Sequence, residues 1–281
     1  MAFSIKNSPN SFVTFYEQAS LLGKSNFITD TPCGIQKGFC FPFYNSADIR
    51  FQVEFISTSV LTSANFEFWR DDVLLTNVST DVVVSGNYLG IPIYSVYVDY
   101  SNSDLGDGLD DGDCFGLKIT ITGMGFPTLL SNQCFKKITE TCLTSQLIYI
   151  NSSNAFGFVY NSTILRYNVI RLPLYFKEPR TPTVKGQYQT SQGNWITTNA
   201  RLNKTYKGYI DEVKEEVHCA LNIALNHDSV TFNTETNYSL ACNFQGEYNQ
   251  NFPNIMGNVD IWSADFIIFV TPFNNVNTNC G

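Results

Sequence analysis

Charge is what this 281-residue chain has least of. Lys, Arg, Asp and Glu make up 15% of it, against about a quarter in an ordinary soluble domain. Histidine occurs twice, which leaves few imidazoles for metal binding or acid–base work. None of the eight cysteines stands in a C-x-x-C pair, so the strong zinc-site spacing is missing. No Walker loop, G-x-G-x-x-G turn or G-x-S-x-G elbow occurs. The usual sequence grounds for a nucleotide-binding or serine-hydrolase reading go with them. Long apolar runs are absent as well. "FIIFV" at 266–270 is strand-sized, far from the ~20 residues of a membrane span. The opening "MAFSIKNSPNSFVTF" lacks the ~7–15-residue apolar core of a secretory signal. These absences lead to the expectation of a soluble chain made in the cytosol, with no cofactor and no enzymatic activity.

What the chain has instead is aromatic and β-branched. Hydrophobic residues reach 43% and aromatic residues 15%, a composition suited to pleated sheets. In "RFQVEFISTSVL" (50–61), Phe51, Val53 and Phe55 alternate with Gln52 and Glu54, the period of a half-buried strand. Similar runs stand at 65–70, 73–78, 92–99 and 114–122, with turn residues between them. That spacing predicts a β-sandwich or jelly-roll-like domain over residues 1–140. A second, β-rich domain is expected over 141–281. Its strands include 186–191 and 194–200, joined at "QGN" as a hairpin, then 228–233, 239–248 and 258–272. One segment reads as a helix, at about 211–227. Val213, Val217, Ala220, Leu221, Ala224 and Leu225 recur there at helical spacing, behind an Asp211 N-cap.

Charge is unevenly placed. The formal net is −8, of which residues 1–145 hold −7. Such a chain is a poor partner for nucleic acid, whose non-specific binding rests on phosphate neutralisation. The densest acidic stretch is "DLGDGLDDGDC" (104–114). An EF-hand register fails there, because Leu109 and Lys118 fall at ligand positions. A looser divalent-cation set from Asp107, Asp110, Asp111 and Asp113 stays open, beside a docking surface and a plain exposed turn. Residues 166–207 show the opposite sign, with eight cations against Glu178 alone. Arg166, Arg171, Arg180, Lys185, Arg201 and Lys204 are therefore interface candidates for head-to-tail contacts between copies. His218 and His227 lie nine residues apart on the expected helix. Two and a half turns point them apart, so both read as structural, with His227 placed to balance the helix C-terminus.

Several segments together resemble structural tail proteins of crAss-like, Bacteroidetes-infecting phages. They are "DGDCFGLKI" (111–119), "ITETCLTSQLIYINSSNAFGFVYN" (138–161), "IRLPLYFKEPRTPTVKGQYQTSQGNW" (170–195) and "KTYKGYIDEVKEEVHCALNIALNHDSVTF" (204–232). "GEY" at 246–248 and the terminal "NC" complete the set. The resemblance covers about residues 110–281. It implies a tail ring or hub component, a virion protein assembled in the bacterial cytoplasm. Its partners would be copies of itself in a ring of about six or twelve subunits, other tail proteins and possible tail fibres, without sequence-specific nucleic acid or membrane. The cysteines would then be reduced core residues. The alternative is a carbohydrate-binding or adhesion module, with Trp69, Tyr88, Tyr94 and Tyr97 as platforms. A hydrolase built on paired carboxylates ranks last.

Overall fold

The computed structural model describes residues 3–6, 12–17, 40–70, 73–100, 109–121, 126, 128–141, 143–153, 155, 158, 160, 167–180, 183–202, 204–234, 239–244, 246–251 and 261–270. The first half supplies β1 (Phe3–Lys6), β2 (Phe15–Glu17), β3 (Cys40–Phe43), β4 (Ile49–Ser57), β5 (Ser63–Arg70), β6 (Val73–Tyr88), β7 (Ile91–Asp99), β8 (Cys114–Ile121) and β9 (Leu129–Lys137). The second supplies β10 (Ser145–Ile150), β11 (Asn168–Leu172), β12 (Leu174–Arg180), β13 (Thr183–Gln189), β14 (Trp195–Leu202) and β15 (Lys204–Lys214). After β15 come the helix α1 (Glu215–Leu225), β16 (Ser229–Asn233), β17 (Ser239–Phe244), β18 (Asn249–Asn251) and β19 (Ile261–Val270). The protein is mainly β, with a single α-helix among the described residues.

The first half is sandwich-like because its alternating strands have two sheets to face. In β5, Ala64, Phe66 and Phe68 are buried while Ser63, Asn65 and Glu67 stay partly exposed. β5, β8, β9, β2 and β3 make one sheet, in which β3 and β9 run parallel. The other sheet is built on β4 and β7. Aromatic rings cross between them: Phe66 meets Phe51 edge-on at 6.4 Å, and Phe15 stacks on Phe51 at 6.3 Å. β6 belongs to both sheets. Val73–Asp81 pair with β5, then Val82–Tyr88 pair with β7, so the strand turns the corner of the sandwich.

β4 departs from the expected half-buried strand. Gln52 and Glu54 are buried along with Phe51, Val53 and Phe55, so both faces of β4 are covered, and both of its edges are paired. β7 takes one edge; β1 and β11 divide the other. The Arg50–Val169 and Ile49–Ile170 pairs carry the sheet from the first half into the second, onward through β10, β16, β17, β19, β15 and β12.

A buried ion pair seals that junction. Asp48 is 1% exposed and Arg171 7%. Asp48 Oδ2 accepts from Arg171 Nε at 2.8 Å and from the backbone N–H groups of Tyr44 and Asn45, while Oδ1 accepts from Gln146 Nε2. Arg171 Nη1 also donates to Thr144 Oγ1. Both carboxylate oxygens are thus hydrogen-bonded in place of water.

The helix begins four residues later than its apolar spacing predicts. Asp211 is no N-cap: β15 continues to Lys214, with Val213 opposite Trp262 and Lys214 opposite Ile261. A bulge between Ile210 and Val213 turns Val213 into the core. β-Sheet pairing with β19 outweighs the modest helical preference of that turn. The buried face of α1 is the expected one, including Val217, Ala220, Leu221, Ala224 and Leu225.

The cysteines correct another expectation. Cys40 and Cys134, register partners on β3 and β9, form a disulfide across 94 residues, and Cys114 is disulfide-bonded too. Cys219 and Cys242 are free thiols, and burial pushes Cys242 up to about 12. Cys33, Cys142 and Cys280 lie outside the described residues.

Two predictions follow from local geometry. Leu89 sits in the two-residue β6–β7 turn at φ 50 beside Gly90 at φ 82, and it is 86% exposed. A left-handed leucine costs about 1–2 kcal/mol, and Asn-Gly suits such a turn. Leu89→Asn should therefore raise unfolding stability by about 1 kcal/mol; an unchanged urea midpoint would count against this. Asp48→Ala strands a buried guanidinium and should cost about 3–5 kcal/mol in the same titration.

Candidate interaction surfaces

The two histidines are held inside the described framework. Both are buried. His218 Nε2 faces the carbonyl oxygen of Trp262 at 2.8 Å, so it carries the proton, and Nδ1 accepts from the Tyr248 hydroxyl at 2.7 Å. Its ring stacks on Trp262 at 5.4 Å and 6°. His227 has the other tautomer. Nδ1 donates to the Ile223 carbonyl at 3.0 Å, and Nε2 accepts from Tyr160, whose hydroxyl accepts in turn from Asn168. Burial, opposed by these backbone bonds, lowers both imidazoles below their ordinary value. His227 therefore serves the helix end as a neutral donor, not as a cation. Both rings are fixed in place by packing, the structural role read from the sequence.

A pH dependence follows. The unfolded chain binds more protons than the folded one just below the ordinary imidazole value of 6.5, so stability falls as pH drops through that range. Tm should be lower at about pH 5.5 than at about pH 7.5. The joint change His218→Gln and His227→Gln should flatten the profile, and an equally steep profile in that variant would refute the assignment.

The acidic stretch resolves into a turn as far as it is described. Gly112, at φ 89, donates to the Lys137 carbonyl, and Lys137 N–H returns a bond to Asp113. Asp113 binds Arg70 and the Asp110 N–H, while Asp111 Oδ1 accepts from Thr139 N–H. Asp113 and Asp111 are thus committed to holding the turn on β9. Among the described residues no cluster of metal-ligating side chains forms. Asp104 and Asp107 lie outside them.

The cationic candidates divide. Arg171 is turned inward onto Asp48 and offers nothing to a neighbour, because its strand, β11, is buried at every position. Arg166 lies outside the described residues. The other four gather at one place. Arg180 ends β12, opposite Thr205. Lys185 and Arg201 occupy adjoining rungs of the β13–β14 ribbon, at Lys185–Ala200 and Val184–Arg201. Lys204 opens β15, exposed, with its ammonium 5.1 Å from the Tyr206 ring. Sequence spacing alone could not show that these four surround one root.

The ribbon they surround is the feature the sequence reading undervalued. β13 and β14 form a sheet of their own. The hairpin turn closes where "QGN" predicts, with Gly193 at φ 86 and Thr190 N–H bonded to Asn194. Tyr188 stands opposite Ile196 and Gln189 opposite Trp195, so successive rungs put Tyr188 and Ile196 on one face and Trp195 on the other. All three are exposed, Trp195 at 65%. The signal was a tryptophan flanking a polar turn, which burial would ordinarily explain.

Beside the root, β12 and β15 present a charged face. Tyr175 stacks on Tyr209 at 5.6 Å. The Tyr209 hydroxyl donates to Glu178, which also pairs with Arg180 and is held below the usual carboxylate range. Lys207 pairs with Asp265. Glu178 itself has φ 52 at a bulge between Lys177 and Arg180, a local bend shortly before the ribbon begins.

The aromatic residues considered for glycan stacking do not form one platform. Tyr94 is buried in the core. Trp69 is half-buried, donating to Glu67 under the Lys118 ammonium. Tyr97 donates to the Tyr167 carbonyl. Tyr88 alone is exposed, at the β6–β7 tip. No protein-family model matches the chain, and no curated protein matches it.

Proposed function

We propose that this chain is a structural subunit of a phage tail, a ring or hub component that binds copies of itself and neighbouring tail proteins. The observation that carries this reading is the ribbon of residues 183–202, a two-stranded sheet with exposed Tyr188, Trp195 and Ile196. A hairpin of two strands is marginal in water by itself, and apolar side chains on both of its faces are explained by a protein partner that encloses them. The resemblance over residues 110–281 supplies the kind of assembly. The continuous sheet from β7 to β12 supplies a stiff body between contacts. The Cys40–Cys134 bond fits a protein whose working life is outside the reducing cytosol, as that of a released virion is.

The role is geometric. Identical copies joined by heterologous contacts close into a ring when the rotation between them divides a full turn. Mass photometry or sedimentation of the full chain should give a multimer on the order of six or twelve copies, ring-shaped in negative stain. A single-chain mass at micromolar concentration would remove the reading.

A further inference from the structure

We propose that the β13–β14 ribbon is an arm that docks on the acidic first half of a second copy of this chain. This rests on the ring reading and names the contact that would build it. Among the described residues the ribbon shares no ladder with another strand, and its side chains at 187–189 and 191–196 are exposed. Its two faces carry different groups, Tyr188 with Ile196 on one and Trp195 with Gln189 on the other. A flat sugar would need only one stacking face. Two exposed apolar faces fit a cleft or a strand edge of a protein.

Charge selects which protein. Residues 180–204 contain Arg180, Lys185, Arg201 and Lys204 and no carboxylate, in a chain of net −8, so the remainder of each copy totals −12. The arm is thus the strongly cationic element of an anionic molecule, and a second copy is a complementary partner by composition alone. Within that partner, residues 1–145 hold −7. The described acidic groups that stay exposed there include Asp110 and Glu140, held near each other because Asp111 accepts from Thr139 N–H. Asp110 and Glu140 are not needed for the turn's side-chain bonds to Arg70 and Thr139, so they are available to the arm. The contact is heterologous, arm to face, which is the kind that propagates around a ring.

The arm is also built to reach. Glu178 in the left-handed region and the bulge beside it bend β12 where the chain leaves the body. Seven residues of β13 extend the ribbon by roughly 23 Å at strand rise. That length places Trp195 well away from the cationic root. Hydrophobic contact at the tip and charge pairing at the root would therefore act on separate parts of the partner.

Three chains test this against the wild type in sedimentation and mass photometry. The first carries Tyr188→Ser, Trp195→Ser and Ile196→Ser; the second Lys185→Glu, Arg201→Glu and Lys204→Glu; the third Asp110→Lys and Glu140→Lys. Each alone should weaken association about tenfold or more; Tyr188, Trp195, Ile196, Lys204, Asp110 and Glu140 are exposed, and a Tm matching the wild type in each variant checks that the fold is kept. Mixing the second with the third should restore assembly, since every arm then meets a face of opposite sign. Wild-type mass in the ribbon variants would overturn the arm while leaving the ring reading intact. A monomeric wild type would remove both. Trp195-dependent retention on immobilised glycans, with assembly unchanged in the ribbon variants, would overturn the arm in favour of a sugar-binding tip.

Discussion

The fold depends on a charge that has no water. Asp48 lies at the point where β4 meets β11, and its carboxylate gathers a guanidinium, two backbone N–H groups and an amide. Replacing such a pair with apolar residues often costs nothing, so its value is not simple stability. What it supplies is register. Arg171 Nε and the Gln146 amide satisfy Asp48 only when β10 and β11 stand in their observed places. Gln146 extends the constraint, since its Oε1 accepts from Asn233 on β16. A slip of one residue in β11 would turn Arg171 to the opposite, also buried face and leave the Asp48 carboxylate without it. The seam thus selects one alignment of two halves that hydrophobic contact alone would join less specifically.

Much of the framework was legible because its strands alternate. β5, β8 and β7 lie within a residue or two of where period two put them, and the "QGN" turn closes the hairpin it announced. Period says nothing about which edges pair, and that is why β4 was misjudged. Gln52 and Glu54 look like a solvent face, yet both are buried on a strand whose two edges are taken by β7, β1 and β11. The same limit moved the helix start. Apolar spacing at 213, 217, 220 and 224 fits a helix, but Val213 satisfies the pattern from the end of a strand.

The candidate surfaces were legible in charge and illegible in placement. A run of eight cations in 166–207 stood out in the sequence. Nothing in it separated Arg171, which holds the seam, from Arg180, Lys185, Arg201 and Lys204, which surround the ribbon root. The separation comes from burial: β11 is covered at all five positions, whereas β12 runs outward after Leu174. Trp195 was overlooked for a related reason. An aromatic residue next to a hairpin turn is usually covered by its own chain, and here Trp195 stays exposed.

The covalent bonds and the ribbon divide the molecule by mechanical role. Cys40–Cys134 ties β3 to β9 in the acidic half, next to the packed rings of Phe115 and Phe135. Closing so long a loop removes conformational freedom from the unfolded chain, about 4–5 kcal/mol in the chain-entropy view. The free thiols, Cys219 and Cys242, lie in the other half, which is held by sheet pairing and by the helix packed over it. A half fixed by a crosslink is suited to receive a partner without deforming. The ribbon follows a bulge between Lys177 and Arg180, with Glu178 in the left-handed region, so the path from the body into the ribbon passes through this one irregular turn of strand. In the ring we propose, such copies would adapt at the ribbon and stay rigid at the crosslinked face, the division that lets every joint meet the next.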